Sequence, residues 1–127
     1  MTTLKEIMTA EVFTIARETP VAEVAGSMLK GRFGSAIVMD GSVLIGIFTE
    51  RDALRAAASG ADLNSAQVAA WMTEDPVTAS PDMEADEAAE IMMSQGFRHL
   101  PVLEAKSITG IVSLRDLMRI RVRRPQP

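Results

Sequence analysis

Two short segments of the 127-residue sequence place a hydroxyl side chain three residues before a carboxylate. The first segment, GIFTERD, covers residues 46–52, and the second, GIVSLRD, covers residues 110–116. Each is predicted to end a strand and begin a helix, whose first N–H groups lack intrahelical partners and suit a phosphate. An ionised carboxylate only accepts hydrogen bonds, which suits the two vicinal hydroxyls of a ribose. The candidate half-sites for a nucleotide are Thr49 with Asp52, and Ser113 with Asp116.

The same spacing has a purely structural interpretation. A hydroxyl at the N-cap and a carboxylate three residues later resemble a capping box, in which both groups bind the helix's own backbone. The two interpretations are compatible, because a ligand can also bind at a capped helix end.

Both segments belong to a longer internal repeat. Met8 and Thr9 recur as Met72 and Thr73, and the match continues without a gap from residues 8–55 to residues 72–119. Further identical pairs at this offset of 64 are Thr14/Thr78, Glu23/Glu87, Ala25/Ala89, Met28/Met92, Phe33/Phe97, Val38/Val102, Gly46/Gly110, Ile47/Ile111, Arg51/Arg115 and Asp52/Asp116. The chain therefore contains a duplicated unit.

Each copy predicts a helix from apolar residues at helical spacing. The predicted apolar faces are Val21, Val24, Ala25, Met28 and Leu29 in the first copy, and Ala85, Ala88, Ala89, Met92 and Met93 in the second. Thr19 is the predicted N-cap of the first of these helices, and Pro20 is its predicted first residue. We interpret most of the methionines as adaptable core residues.

Short apolar runs follow each of these helices and predict a hairpin. Residues 36–39 and 43–48 are separated by Asp40 and Gly41, and residues 100–103 and 108–112 are separated by a turn at 104–107. A second helix is expected to begin near Glu50 and near Leu114. Each copy therefore has the order strand–helix–strand–strand–helix.

A copy of about 50 residues cannot easily bury both sides of its own sheet. We therefore expect one α/β (α+β) domain over residues 1–127, in which two half-domains related by a pseudo-twofold axis pack sheet to sheet. Repeat one is expected at about residues 4–60 and repeat two at about residues 66–124, with a basic tail at 122–127.

Composition restricts the class of protein. With 47% hydrophobic residues the chain can bury a core, and without cysteine it has no disulfide, thiol nucleophile or thiolate metal site. The N-terminal segment does not resemble a signal peptide, and no apolar run approaches the roughly 20 residues that span a bilayer. We expect a cytoplasmic protein without a membrane partner.

Charge argues against broad affinity for nucleic acid, since the net charge is −4. The exception is an arginine-rich end, formed by Arg119, Arg121, Arg123 and Arg124. Arginines suit a helix C-terminus, and a phosphate- or partner-binding arm is the alternative. A stacking platform for nucleic-acid bases is missing, so we expect no nucleic-acid partner.

The order of these motifs, and their duplication, resembles a tandem pair of CBS domains, the module named after cystathionine β-synthase. The resemblance extends from about Leu4 to Arg121 and rests on "IMTAEVFTI", "GSAIVMDGSVLIGIFTERD", "WMTEDPVTASPD" and "GFRHLPVLEAKSITGIVSLRD". It implies two clefts between the half-domains, which in this family often bind AMP, ADP, ATP or S-adenosylmethionine and regulate another domain or protein. It also implies a homodimer.

The two expected clefts differ in charge. The second copy has a basic pair before its hairpin, Arg98 and His99, where the first copy has Gly34 and Ser35. In the family, basic residues at these positions often contact phosphates, so the resemblance makes this cleft the better candidate for a phosphorylated ligand. Its expected residues are Thr9, Val12, Phe13, Phe33, Gly34, Arg98, His99, Ser113, Arg115 and Asp116.

The second cleft has fewer positive groups, so we expect it to be empty or to hold a less charged ligand. Its expected residues are Thr49, Arg51, Asp52, Thr73, Val77, Thr78 and Phe97.

We therefore expect a regulatory module that senses an adenosine-containing ligand and acts on an unidentified protein in trans. The alternative is a dimerisation or interaction module with no bound nucleotide. We predict no catalytic residues, no metal site and no required cofactor, because nucleophile pairs, a glycine–lysine phosphate loop and a metal-ligand cluster are missing from the sequence.

Overall fold

The computed structural model describes residues 1–123, and the side chains of residues 1–120. Residues 124–127 of the predicted basic tail, which include Arg124, lie outside the described residues. The fold mixes helices and sheets, as the sequence predicts. In chain order the elements are α1 (Leu4–Ile7), β1 (Thr14–Ala16), α2 (Val21–Gly31), β2 (Ser35–Asp40), β3 (Val43–Thr49), α3 (Glu50–Ala58), a 3-10 turn (Val68–Ala70), β4 (Thr73–Glu74), α4 (Ala85–Gln95), β5 (His99–Glu104), β6 (Ser107–Ser113) and α5 (Leu114–Arg123).

These elements form two compact units whose boundaries differ from those of the two sequence repeats. The continuous unit comprises Phe13–Pro76. The composite unit combines Met1–Val12 with the described residues from Val77 onward. The start of the first repeat therefore folds with the second repeat.

The continuous unit is built on a four-stranded sheet in the order β1-β2-β3-β4. β1 runs parallel to β2, while β2 and β3 form an antiparallel hairpin with an irregularity between Val38 and Met39. β4 adds to the other side of β3, where Thr73 pairs with Ile47. This last strand comes from the start of the second sequence repeat.

The composite unit is built on the antiparallel β5–β6 hairpin, whose irregularity between Val102 and Leu103 matches that of the first hairpin. Thr9 lies beside β6 and exchanges two backbone hydrogen bonds with Ile111, at 2.9 and 3.0 Å. This pairing is equivalent to that of Thr73 with Ile47. Each unit thus receives a strand segment from the start of the other repeat.

Each unit has its own hydrophobic core, which combines one face of its sheet with its helices. The buried core of the continuous unit is Val21, Val24, Met28, Ala36, Val38, Phe48, Ala56 and Val68. The buried core of the composite unit is Leu4, Ala79, Ala88, Ala89, Met92, Leu100, Val102, Val112 and Leu117. Leu4 of α1 and Val68 of the 3-10 turn occupy equivalent positions. The first residues of each repeat therefore contribute to the core of the unit that the other repeat mainly builds.

The start of α2 differs from the sequence prediction. The helix begins at Val21 with Pro20 as its N-cap, so the prediction of Thr19 as the N-cap is wrong. The Thr19 hydroxyl instead donates a hydrogen bond to the carbonyl of Ala16. The N–H of Val21 donates to the carbonyl of Ala66 at 2.8 Å, so a distant backbone carbonyl replaces the expected side-chain cap.

The equivalent helix, α4, begins in the same way. The N–H of Ala85 donates to the carbonyl of Thr2 at 2.8 Å. Backbone carbonyls of distant residues therefore accept hydrogen bonds from N–H groups at the starts of both α2 and α4.

Two predicted core residues are exposed instead. Leu29 of α2 is 84% exposed and Met93 of α4 is 65% exposed, although both extend the apolar faces read from the sequence. They stand at equivalent positions of the repeat. The buried faces are narrower than predicted because α2 buries Val21, Val24 and Met28, and α4 buries Ala88, Ala89 and Met92.

None of the helices in the described part of the chain has the length and hydrophobicity needed to cross a bilayer.

Candidate functional site

The start of α5 carries the first candidate half-site. The N–H of Ser113 donates to Oδ2 of Asp116 at 3.2 Å, and the N–H of Asp116 donates to the Ser113 hydroxyl at 3.1 Å. These are the reciprocal bonds of a capping box, so the structural interpretation of this motif is correct. The Asp116 side chain nevertheless remains 27% exposed, and its Oδ1 accepts no hydrogen bond at normal distance among the described residues.

The β5–β6 hairpin brings the basic pair to this helix start. His99 is the direct cross-strand partner of Ser113. The carbonyl of Arg98 accepts a hydrogen bond from the N–H of Leu114, the first residue of α5, at 2.8 Å. Arg98 is exposed and His99 is half-buried. Two basic residues therefore lie beside the partly positive end of a helix, an arrangement suited to an anion.

Thr9 completes this side of the composite unit, since it pairs with β6 two residues before Ser113. We define the composite site as Thr9, Arg98, His99, Ser113 and Asp116. Its elements supply hydroxyl groups, a carboxylate and basic groups at one end of β6.

The start of α3 carries the second candidate half-site. Oδ2 of Asp52 accepts hydrogen bonds from the backbone N–H of Thr49 at 2.9 Å and from its hydroxyl at 3.1 Å. The Thr49 hydroxyl accepts a longer bond from the N–H of Asp52, at 3.4 Å, which completes a capping box. We define the continuous site as Gly34, Ser35, Thr49, Asp52 and Thr73, the positions equivalent to those of the composite site.

The carboxylate of the continuous site has one further partner. Nη1 of Arg55 donates to Oδ1 of Asp52 at 2.9 Å, and the Asp52 side chain is only 9% exposed. The guanidinium carbon of Arg55 also lies 5.7 Å from the ring centroid of Trp71. In the composite site the equivalent pair, Arg119 and Asp116, is separated by 3.9 Å. The two half-sites therefore share a backbone arrangement but differ in how many hydrogen bonds their carboxylates already accept.

The residues predicted for the better cleft fall in both units. Those in the composite unit are Thr9, Val12, Arg98, His99, Ser113, Arg115 and Asp116, and those in the continuous unit are Phe13, Phe33 and Gly34. The rings of Phe13 and Phe33 stack on each other with centroids 5.3 Å apart. The assignment of the whole set to one ligand stays a prediction.

The residues predicted for the second cleft divide in the same manner. Those in the continuous unit are Thr49, Arg51, Asp52 and Thr73, and those in the composite unit are Val77, Thr78 and Phe97. Arg51 and Arg115, each next to a helix-capping aspartate, are both exposed.

Sequence reasoning missed Arg55 and Trp71, although both left a signal. Asp52 and Arg55 have the i, i+3 spacing that places side chains on one face of a helix, and Asp116 and Arg119 repeat it. Trp71 is the single tryptophan of the sequence, and its equivalent in the other copy is Ile7. Within residues 1–123, no group of three or more histidine, aspartate or glutamate side chains could hold a metal ion.

Comparison with known proteins supports a common fold and family. The CBS domain-containing protein YhcV of Bacillus subtilis is 33% identical over 118 residues, which cover 92% of this chain and 84% of that protein. The crystal structure of the CBS-domain containing protein ATU1752 from Agrobacterium tumefaciens has 32% identity and a TM-score of 0.88, and the match covers 94% of this chain and 99% of that one.

Two similar structures contain adenosine compounds. The CBS domain pair of protein MJ0100, in complex with 5′-methylthioadenosine and S-adenosyl-L-methionine, is 26% identical with a TM-score of 0.85, over 95% of this chain and 96% of that one. The CBS domain protein PAE2072 from Pyrobaculum aerophilum, complexed with AMP, is 25% identical with a TM-score of 0.83, over 91% and 89% of the two chains.

The family model named CBS domain matches twice, at residues 4–59 and 67–123. These two matches cover most of the chain and follow the internal repeat. The chain therefore belongs to the CBS domain family, of which it carries two copies.

Proposed function

We propose that this chain is a regulatory module that binds an adenosine-containing ligand, such as AMP, ADP, ATP or S-adenosylmethionine, at the composite site. It performs no chemistry of its own, requires no cofactor, and transmits the bound state in the cytoplasm to a partner protein in trans. The ligand class is supported by the adenosine compounds bound to MJ0100 and PAE2072.

The observation that carries the proposal is the state of the Asp116 carboxylate. It stands at a helix N-terminus, is fixed through Oδ2 by Ser113, and keeps Oδ1 without a hydrogen bond at normal distance among the described residues. An ionised carboxylate of this kind can accept hydrogen bonds from the hydroxyls of a ribose. A cap and a ligand contact are thus compatible at this residue.

The neighbouring basic residues support a phosphorylated ligand. Arg98 supplies a planar guanidinium that suits bidentate contact with phosphate oxygens, and His99 lies across the hairpin from Ser113. The equivalent positions of the continuous site, Gly34 and Ser35, supply no charge. A nucleotide should therefore prefer the composite site.

Calorimetric titration with AMP, ATP and S-adenosylmethionine tests this function. Asp116→Ala should weaken binding about ten- to a hundredfold, since hydrogen bonds to a charged group contribute about 1.5–3 kcal/mol. The matched control, Asp52→Ala, removes the same group from the other repeat and should alter affinity much less. A wild-type chain that binds none of the three compounds, or equal effects of the two variants, would contradict the proposal.

A second candidate function is a dimerisation or interaction module, and specific surface residues favour it. Each unit exposes a large apolar side chain on both of its long helices, namely Leu29 and Leu54 in the continuous unit and Met93 and Met118 in the composite unit. These residues occupy equivalent positions of the repeat. We propose that they contribute to a homodimer, which is compatible with ligand sensing and would remain if no nucleotide binds.

A further inference from the structure

The Arg55 side chain is held over the Asp52 carboxylate from two directions. Its Nη1 atom lies 2.9 Å from Oδ1 of Asp52, and its guanidinium carbon lies 5.7 Å from the Trp71 ring centroid. A planar guanidinium can stack on an aromatic ring and donate to a carboxylate at the same time. Trp71 therefore limits the positions that Arg55 can take and favours its contact with Asp52.

This contact uses the part of the carboxylate that a ribose would need. Oδ2 of Asp52 already accepts two hydrogen bonds from Thr49, and Oδ1 accepts one from Arg55. Two vicinal hydroxyls require free acceptor positions on the carboxylate. A ligand could bind Asp52 in this way only by displacing Arg55.

The composite unit has the same helix start, but its aspartate has no equivalent hydrogen bond with an arginine in the part of the chain that the structure describes. Arg119 stands where Arg55 stands but lies 3.9 Å from the Asp116 carboxylate, beyond a normal hydrogen bond. The position of Trp71 is taken by Ile7, which has no aromatic face for a guanidinium. The side-chain exposure of the carboxylate rises accordingly, from 9% at Asp52 to 27% at Asp116.

We propose that Arg55, positioned by Trp71, is an internal competitor that closes the continuous site to an adenosine-containing ligand. The wild-type chain then binds one such ligand, at the composite site. Arg55 is the specificity-determining residue, and Trp71 is a positioning residue that acts through it. This inference rests on the proposed function, because it concerns which of the two half-sites that function uses.

Calorimetry with AMP and with S-adenosylmethionine gives the number of ligands bound per chain. The wild-type chain should bind one equivalent, while Arg55→Gln and Trp71→Ile should bind a second equivalent at Asp52. Each variant should bind this second ligand at least about tenfold more tightly than the wild-type chain does, which corresponds to about 1.4 kcal/mol. Trp71→Phe retains an aromatic face and should still bind a single equivalent. Because Phe and Ile are both apolar and smaller than Trp, a difference between Trp71→Phe and Trp71→Ile would point to the aromatic face rather than to packing.

A second measurement needs no ligand. The sequence contains one tryptophan, so the fluorescence spectrum reports only on Trp71. Asp52→Asn should weaken the interaction between residue 52 and Arg55 and so shift the emission of Trp71. Arg55→Gln should shift this emission as well. Emission unchanged in both variants would overturn the contact. Melting curves verify that each variant is folded, and if Trp71→Ile unfolds, the exposed Arg55→Gln substitution decides.

The outcomes separate this inference from the proposed function. Two equivalents in the wild-type chain, or one equivalent in every variant, would overturn the closure by Arg55 while leaving adenosine binding established. No binding by the wild-type chain or any variant would overturn the proposed function and this selectivity with it.

Discussion

Met8 fills the space in front of Gly110, where a Cβ atom would lie 2.6 Å from the methionine sulfur. The carbonyl oxygen of Thr9 would be 3.0 Å from the same atom. The other repeat has the same relationship, since a Cβ atom on Gly46 would lie 2.6 Å from the sulfur of Met72. The duplicated Met–Thr pair and the duplicated glycine are therefore the two partners of one contact, in which the start of one repeat packs against a strand of the other.

Alanine at either glycine should destabilise the protein. Gly110→Ala and Gly46→Ala each place a methyl group against a methionine side chain and a backbone carbonyl, and overpacking of this kind costs about 1–3 kcal/mol. Urea unfolding would measure the loss. The matched control is Gly26→Ala in α2, where nothing lies within 4 Å of the added atom, and which should stabilise the chain by about 0.5–1 kcal/mol. Equal effects at all three glycines would refute the packing explanation.

The ends of α2 and α4 predict a stabilising substitution. Arg32 follows α2 in the left-handed conformation, with φ of 59°, and its equivalent after α4 is Gly96, with φ of 80°. Because glycine adopts this conformation without steric cost, Arg32→Gly should raise the free energy of unfolding by about 0.5–1 kcal/mol. Lys30→Gly, inside the helix, should instead lower it by about 1 kcal/mol. Chemical denaturation would distinguish them, and a loss of stability in Arg32→Gly would contradict the argument.

Arg98 should discriminate between ligands with and without phosphate. If its guanidinium contacts phosphate oxygens, Arg98→Gln should weaken AMP and ATP binding about tenfold or more while leaving 5′-methylthioadenosine nearly unaffected. Titration of the three compounds measures the ratio. Lys106→Gln, an exposed neutralisation in the turn between β5 and β6, serves as a control for net charge. Equal losses for all three ligands would show that Arg98 is not a phosphate contact.

The exposed apolar residues predict an assembly that charge can disrupt. Leu54 is 70% exposed on α3 and Met118 is 46% exposed on α5. Burying such a side chain contributes up to about 1.5–3 kcal/mol, so the double variant Leu54→Glu/Met118→Glu should dissociate a homodimer into 13.7 kDa monomers. Sedimentation velocity at micromolar concentration would detect the change. Val43→Glu, on the hairpin rather than on a helix, should leave the dimer intact, and a wild-type monomer would exclude this assembly.

Local structure could be predicted because the repeat displays each pattern twice. The hairpin strands β2, β3, β5 and β6 were each found to within two residues, and the helix starts near Glu50 and Leu114 are confirmed. Apolar spacing and turn residues act over a few positions, so a single sequence reveals them. The exposure of Leu29 and Met93 could not be read in this way, because helical spacing does not show how wide a face the core covers.

The pairings between distant segments could not be predicted. Thr9 with Ile111, and Thr73 with Ile47, join strands across the repeat boundary, and a repeat marks equivalent positions rather than partners. The occupation of Asp52 by Arg55 was open to prediction from spacing alone, but the role of Trp71 required the fold of the continuous unit. Repetition therefore identified the candidate half-sites and their difference in charge, whereas the contact between Arg55 and Trp71 was visible only in the structure.

The placement of residues 1–12 has a consequence for biosynthesis. The continuous unit is complete once residues 13–76 have left the ribosome, so it can fold while the rest of the chain is still being made. The segment around Thr9 is synthesised before this unit, yet its strand partner at Ile111 emerges about a hundred residues later. The Thr9 segment must therefore remain without its β6 partner while the continuous unit folds, until the stretch that also contains the Ser113–Asp116 helix start has been made.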